Sequence, residues 1–204
     1  MSRIHNSYHF VGLAPRYLIY QRVYQPQEAT IIRLILCLSI LLGLSAPSLA
    51  GRDDFVSGTA VPDYGVYAPV TGVELPAGTR MKIAFDVSAA GPDDAVNRKF
   101  EMVARSVNLH TAKGISAENM STAIVVHGLA GADLLTTEAR GAENPNAGII
   151  AQLLAAGVTI QLCGQSAEGM DIKKADLLPG ITMAPSAITA HALLQQQGYT
   201  LNHF

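Results

Sequence analysis

The run Ala123-Ile-Val-Val126 is apolar at consecutive positions, so as an extended strand it must be covered on both of its faces. Residues 80–87 (RMKIAFDV), 158–163 (VTIQLC), 180–184 and 199–202 join 122–127 as five strand-like segments, with helical spacing in the intervals between them. Alternating strands and helices, with strands apolar on both sides, predict a three-layer α/β domain. Its mainly parallel sheet of about five strands, joined by right-handed crossovers, implies a flavodoxin-like arrangement.

The intervals carry helix signals of their own. Asp93 and Asp94 are expected to open a first helix with Val96, Phe100, Val103 and Val107 on its apolar face, Glu101 and Arg105 as an i,i+4 pair, and Gly114 as its stop. Residues 133–139 suit one or two helical turns. Asn144-Pro145 launches a helix over 146–156 that buries Ile149, Ile150, Leu153 and Leu154 and ends at Gly157. Residues 166–178 are partly helical, broken near Gly169, and Ser186 caps a last helix that Gly198 stops. Ahead of all this, residues 52–78 hold Pro62, Pro69 and Pro76 among glycines without sustained period. They read as an irregular arm whose Phe55, Tyr64 and Tyr67 pack on their own domain or on a neighbouring subunit.

The first fifty residues are a different material. Leu34 to Leu44 is almost unbroken in its apolarity, follows Arg33 and leads into small residues at Ser48 and Ala50, which predicts a secretory signal cleaved after Ala50. The run is shorter than the ~20 residues of a spanning helix. Leu36 ahead of Cys37 rules out a lipoprotein acceptor there, and the length before the run suggests translation starting near Thr30. The expected organisation is therefore 1–50 removed, 51–79 the arm and 80–204 the α/β domain, with no stable membrane insertion after cleavage. Without the four arginines and single glutamate of 1–50, ten basic and fifteen acidic side chains remain, which argues against nucleic acid or an anionic membrane as partner.

Cleavage would also leave Cys163 as the sole cysteine, a thiol that an oxidising compartment requires to be buried, paired between chains or used. It closes a strand, so in a parallel sheet it shares the carboxyl rim with Ser88, His127 and Ser186, where ligands of such sheets bind. Two readings of Cys163 are open: a reactive thiol, or a small hydrophobe ending a core strand. His127 either holds and exchanges the proton of Cys163 or is bonded to backbone, depending on strand order. Gly164 and Ser166 offer backbone N–H groups to a thiolate or persulfide, and Gln165 lies between them. His110 suits a helix end, and His191 reads as a boundary residue of the last helix. Glu168, Asp171 and Asp176 read as a solvated face. Scattered histidines make no metal site, and Gly128-Leu-Ala-Gly131 is not a dinucleotide fingerprint, so neither metal nor organic cofactor is expected.

MKIAFDVS, IVVHG, GVTIQLCGQS and LLPGITMAPSAITAHALLQQQGY, within residues 81–204, resemble the DsrE/DsrF-like family of sulfur-relay proteins, and most specifically its secreted or periplasmic branch. The resemblance implies a single domain around a parallel sheet, trimers or hexamers, and a cysteine at the position of Cys163 that carries sulfane sulfur as a persulfide. The partner would be a donor or acceptor protein, or polysulfide. Described relays are cytoplasmic, whereas this chain reads as exported. Beside the carrier stand two other readings: an oligomeric binding module in which Cys163 is packed, with a rim pocket, Ser88 included, for a small ligand or protein tail, and a thiol redox sensor.

Overall fold

A computed structural model describes residues 54–202; the Leu34 to Leu44 run, Cys37 and the expected cleavage point after Ala50 lie outside the described residues. Among the described residues no helix is long and apolar enough to cross a membrane.

Five strands form one sheet in the order β4-β3-β2-β1-β5: β1 Met81–Val87, β2 Met120–Val126, β3 Thr159–Cys163, β4 Thr182–Ala184 and β5 Thr200–Asn202. Every pairing is parallel, with Val87 beside Val126, Val126 beside Leu162 and Cys163 beside Ala184. The helices are α1 Arg98–Ala112, α2 Thr137–Arg140, α3 Ala147–Ala155, α4 Gly164–Gly169 and α5 Ala187–Gln196. From β1 to β4 each connection steps one strand in the same direction, and right-handed crossovers put their helices on one face. The return from β4 to β5 steps the other way, so α5 crosses the opposite face.

Burial follows that division. Phe85, Val87, Ile124, Val126, Ile160 and Leu162 pack under α1 and α3, whose Phe100, Val103, Val107, Ile149, Ile150 and Leu153 are fully buried. The intervening positions face α5 and are small: Ala84, Ala123, Val125 and Ala184, closed by Ala190 and Leu194. Small residues let a single helix approach the sheet closely. The α5 face is the less completely covered one, with an open groove of about 500 Å³ along β3 and β4 and with Met183 and Leu193 exposed beside it.

Several local readings change in the folded chain. The first helix starts at Arg98, capped by Asn97, and not at Asp93 or Asp94. The cause is tertiary: Asn97 N–H donates to Asn146 Oδ1 at 2.7 Å and its amide donates to Ala89 O and Asp133 Oδ2, which holds the preceding segment as a loop. Val96 is thus outside the helix, and Asp93 pairs with Arg140. Glu101 and Arg105 turn to the arm, Glu101 accepting from Gly65 N–H at 2.8 Å and Arg105 donating to Val66 O at 2.7 Å. The expected turns over 133–139 are a 3-10 stretch Gly128–Leu134 followed by the single turn α2. The helix expected near Ser166 already begins at Gly164.

The arm packs on its own domain. Buried Val61 inserts into the α1 side of the core, and Asn108, 1 % exposed, takes the hydrogen bonds of the backbone around it. Val56 and Tyr67 close a small antiparallel bridge.

Candidate functional site

Cys163 is the last residue of β3 and the N-cap of α4. Ile160 and Leu162 face α1 and α3, so alternation along the strand turns Cys163 to the α5 side. There α4 and α5 both begin. The side chain is a buried free thiol, 5 % exposed. Burial alone raises its pKa. The Ser166 hydroxyl and the backbone N–H groups of Ser166, Ala187 and Gln165 oppose that effect, and the balance leaves the thiol below its ordinary value.

Ser166 is fixed in turn. Its Oγ accepts from Gly128 N–H at 2.8 Å, which leaves its own proton for Cys163 and ties the end of β2 to the start of α4. Gly128 has φ of 55°, a left-handed conformation, and a Cβ there would sit 3.0 Å from Ser88 O. Ser88 itself is exposed and contributes its backbone carbonyl, which accepts from Ala130 N–H. Gln165 is exposed and takes part through its N–H. At Gly164 a Cβ would lie 2.9 Å from Ala184 O and 3.2 Å from Pro185 O, both backbone atoms. Gly164→Ala must therefore push the start of α4 away from the start of α5. We expect it to destabilise the domain by ~1–2 kcal/mol in urea unfolding, in the range for overpacking, and to slow alkylation of Cys163 in the native protein.

His127 follows β2, one step past the Val126–Leu162 pair, so it stands on the strand next to Cys163 and on the same face. Its Nε2 is occupied by Asp86, at 3.1 Å from each carboxylate oxygen, and not by backbone. The same carboxylate receives His191 Nε2 at 2.8 Å from α5. Burial raises the Asp86 pKa, while hydrogen bonds and charge attraction from His191 and His127 lower it further, and the carboxylate ends below its usual range. His191, expected at a boundary, is largely buried, with Nδ1 buried and unpartnered. Asp86 was not anticipated from the sequence. Its signal was an acid inside the strand MKIAFDV, whose two faces are both covered, because a carboxylate there needs a partner. His110 bonds within α1 to Ser106 O. Among the described residues, no three His, Cys, Asp or Glu side chains group so as to hold a metal ion.

The family model that matches the sequence is the DsrE/DsrF-like family, over residues 81–204. The chain belongs to the DsrE/DsrF-like family. Membership connects it with sulfur relay at the family level and agrees with the parallel α/β sheet. Among solved structures, this DsrE/DsrF-like protein is similar to MTH1491 from Methanobacterium thermoautotrophicum, a protein of unknown function. They share 15% identity with a TM-score of 0.43, covering 61% of this chain and 99% of that one. It is similar also to the ychN protein from E. coli, at 17% identity and TM-score 0.45, with 61% and 99% covered. A comparison with curated proteins returns no match.

Proposed function

We propose that this protein is an exported sulfur carrier that accepts and hands on sulfane sulfur as a persulfide on Cys163. The observation that carries this reading is the place of Cys163 at the carboxyl end of β3 and the N-cap of α4, beside the held Ser166 hydroxyl, where hydrogen bonding from Ser166 and from the backbone of Gln165, Ser166 and Ala187 lowers the thiol pKa. A packed cysteine has no use for donors, whereas a thiolate or persulfide anion is stabilised by them. The thiolate attacks a sulfane or polysulfide sulfur, and an acceptor nucleophile later removes it. No metal or organic cofactor enters these steps. The partner is a donor or acceptor protein, or polysulfide. The incompletely covered α5 face, with its groove and exposed Met183 and Leu193, suits a homo-trimer or hexamer. The apolar run ahead of Ala50 supports a periplasmic or secreted location.

Intact-mass measurement after incubation with polysulfide tests the reading. The expected result is a dithiothreitol-labile gain of one sulfur mass, absent in Cys163→Ser; no gain from any donor overturns it. A second reading, a binding module with Cys163 packed, is favoured by the 5 % exposure of the residue. In that case the native thiol resists alkylation until the protein is denatured. The same low exposure weighs against an intersubunit disulfide.

A further inference from the structure

On the small-residue face beneath α5, the carboxylate of Asp86 extends its reach to both halves of the cysteine site. Asp86 stands on β1, two strands from Cys163 in the sheet order. Through His127 it holds the residue directly before Gly128, and Gly128 N–H fixes the Ser166 hydroxyl that serves the thiol. Through His191 it holds α5 one turn beyond Ala187, whose N–H serves the thiol from the other side. Both links start from one carboxylate. His191 Nδ1 is buried without a partner, so no other hydrogen bond at that ring competes with Asp86 in orienting it. A carboxylate that accepts from Nε2 also fixes the tautomer of His127: the proton is on Nε2, and Nδ1 carries the lone pair.

We propose that Asp86 is the positioning residue of the Cys163 site, setting His127 as the proton carrier beside the thiol and clasping α5 through His191. The inference rests on the carrier reading. Neutral His127 takes the Cys163 proton at Nδ1, and the thiolate attacks the terminal sulfur of a donor persulfide R–S–SH. The bond from Sγ to that sulfur forms as the donor S–S bond breaks. The electron pair leaves on R–S⁻, which receives the proton back from His127. Cys163–S–SH and R–SH result, and no oxidant or reductant is consumed.

The titratable groups facing Asp86 are His127 from the end of β2 and His191 from α5; β5 brings none among the described residues.

The test is the pH profile of iodoacetamide alkylation of Cys163 in the native chain, for wild type, Asp86→Asn and Asp86→Glu, with circular dichroism as the check on folding. Asp86→Asn should slow alkylation at neutral pH about tenfold, the scale of one lost hydrogen bond to a charged group, and move the profile to higher pH. Asp86→Glu should recover part of both. Superimposable profiles for wild type and Asp86→Asn overturn the proposal. If Asp86→Asn alters the circular dichroism, His127→Gln decides instead: a displaced profile supports it and an unchanged one overturns it. Alkylation requires no sulfur donor. An Asp86-dependent profile in a protein that never gains sulfur mass therefore sinks the carrier reading alone, and sulfur uptake with an Asp86-independent profile sinks this inference alone.

Discussion

Asn108→Ala lowers the stability of the domain by about 3 kcal/mol and releases the amino-terminal arm from α1. Asn108 is 1 % exposed; its Oδ1 accepts from Val61 N–H at 2.8 Å, and its Nδ2 donates to Val61 O, Tyr64 O and Gly65 O at 2.9, 2.9 and 3.2 Å. Alanine leaves a buried N–H and up to three carbonyls without these partners. Each orphaned group costs about 1–3 kcal/mol, and water entering the gap recovers part of the sum. The backbone has grown around this one amide. A Cβ on Gly58 would fall 2.0 Å from Asn108 Cγ, and one on Gly65, at φ of 65°, would fall 2.2 Å from Arg105 N. Folded domains hold only about 5–15 kcal/mol in all, so a loss of this size is a large fraction. Urea unfolding reports the energy, and limited proteolysis reports cleavage within residues 54–79. A loss below about 1 kcal/mol would show that Val61, Arg105 and Glu101 hold the arm without Asn108.

Ser166→Ala slows alkylation of Cys163 at neutral pH by about tenfold or more, the equivalent of one hydrogen bond to a charged group at about 1.5–3 kcal/mol. The hydroxyl bridges two segments: it accepts from Gly128 N–H and donates to the thiol. Its removal takes one donor from the sulfur and returns the exposed Gly128 N–H, in the loop after β2, to solvent. The sign with pH follows from the lowered pKa of Cys163, which burial opposes and these hydrogen bonds outweigh. A folded-state pKa below the unfolded one stabilises the fold above the unfolded thiol value, and that contribution disappears as pH falls through the folded value. Ser166→Ala should accordingly lose stability mainly on the alkaline side, and its alkylation profile should move to higher pH. An unchanged profile would mean that the backbone N–H groups of Gln165, Ser166 and Ala187 alone set the thiol.

Much of the architecture was legible because burial has a local signature. Consecutive apolar residues in AIVV demand cover on two faces, and the observed sheet provides it, while the alternation of Val158, Ile160 and Leu162 in VTIQLC marks the one face of β3 that is fully buried. Ser186 as a cap and Gly198 as a stop were equally readable, since both act within one turn: Ser186 Oγ accepts from Thr189 N–H, and Gly198 has φ of 87°. The start of the first helix was misplaced because Asp93 and Asp94 have the local chemistry of a helix opening, while Asn146, far along the chain, holds Asn97 as the cap.

The amino-acid pattern by itself therefore determined which segments are buried, that they alternate as strand and helix, and that Cys163 ends a strand. Tertiary structure alone decided that Asp86 and His191, 105 positions apart, share a hydrogen bond, and that Asn108 captures Val61 from 47 positions away. Periodicity encodes how much of a residue is covered, and it repeats within a few residues. A hydrogen bond between elements depends on strand order and on which face a crossover takes, and those are properties of the assembled sheet.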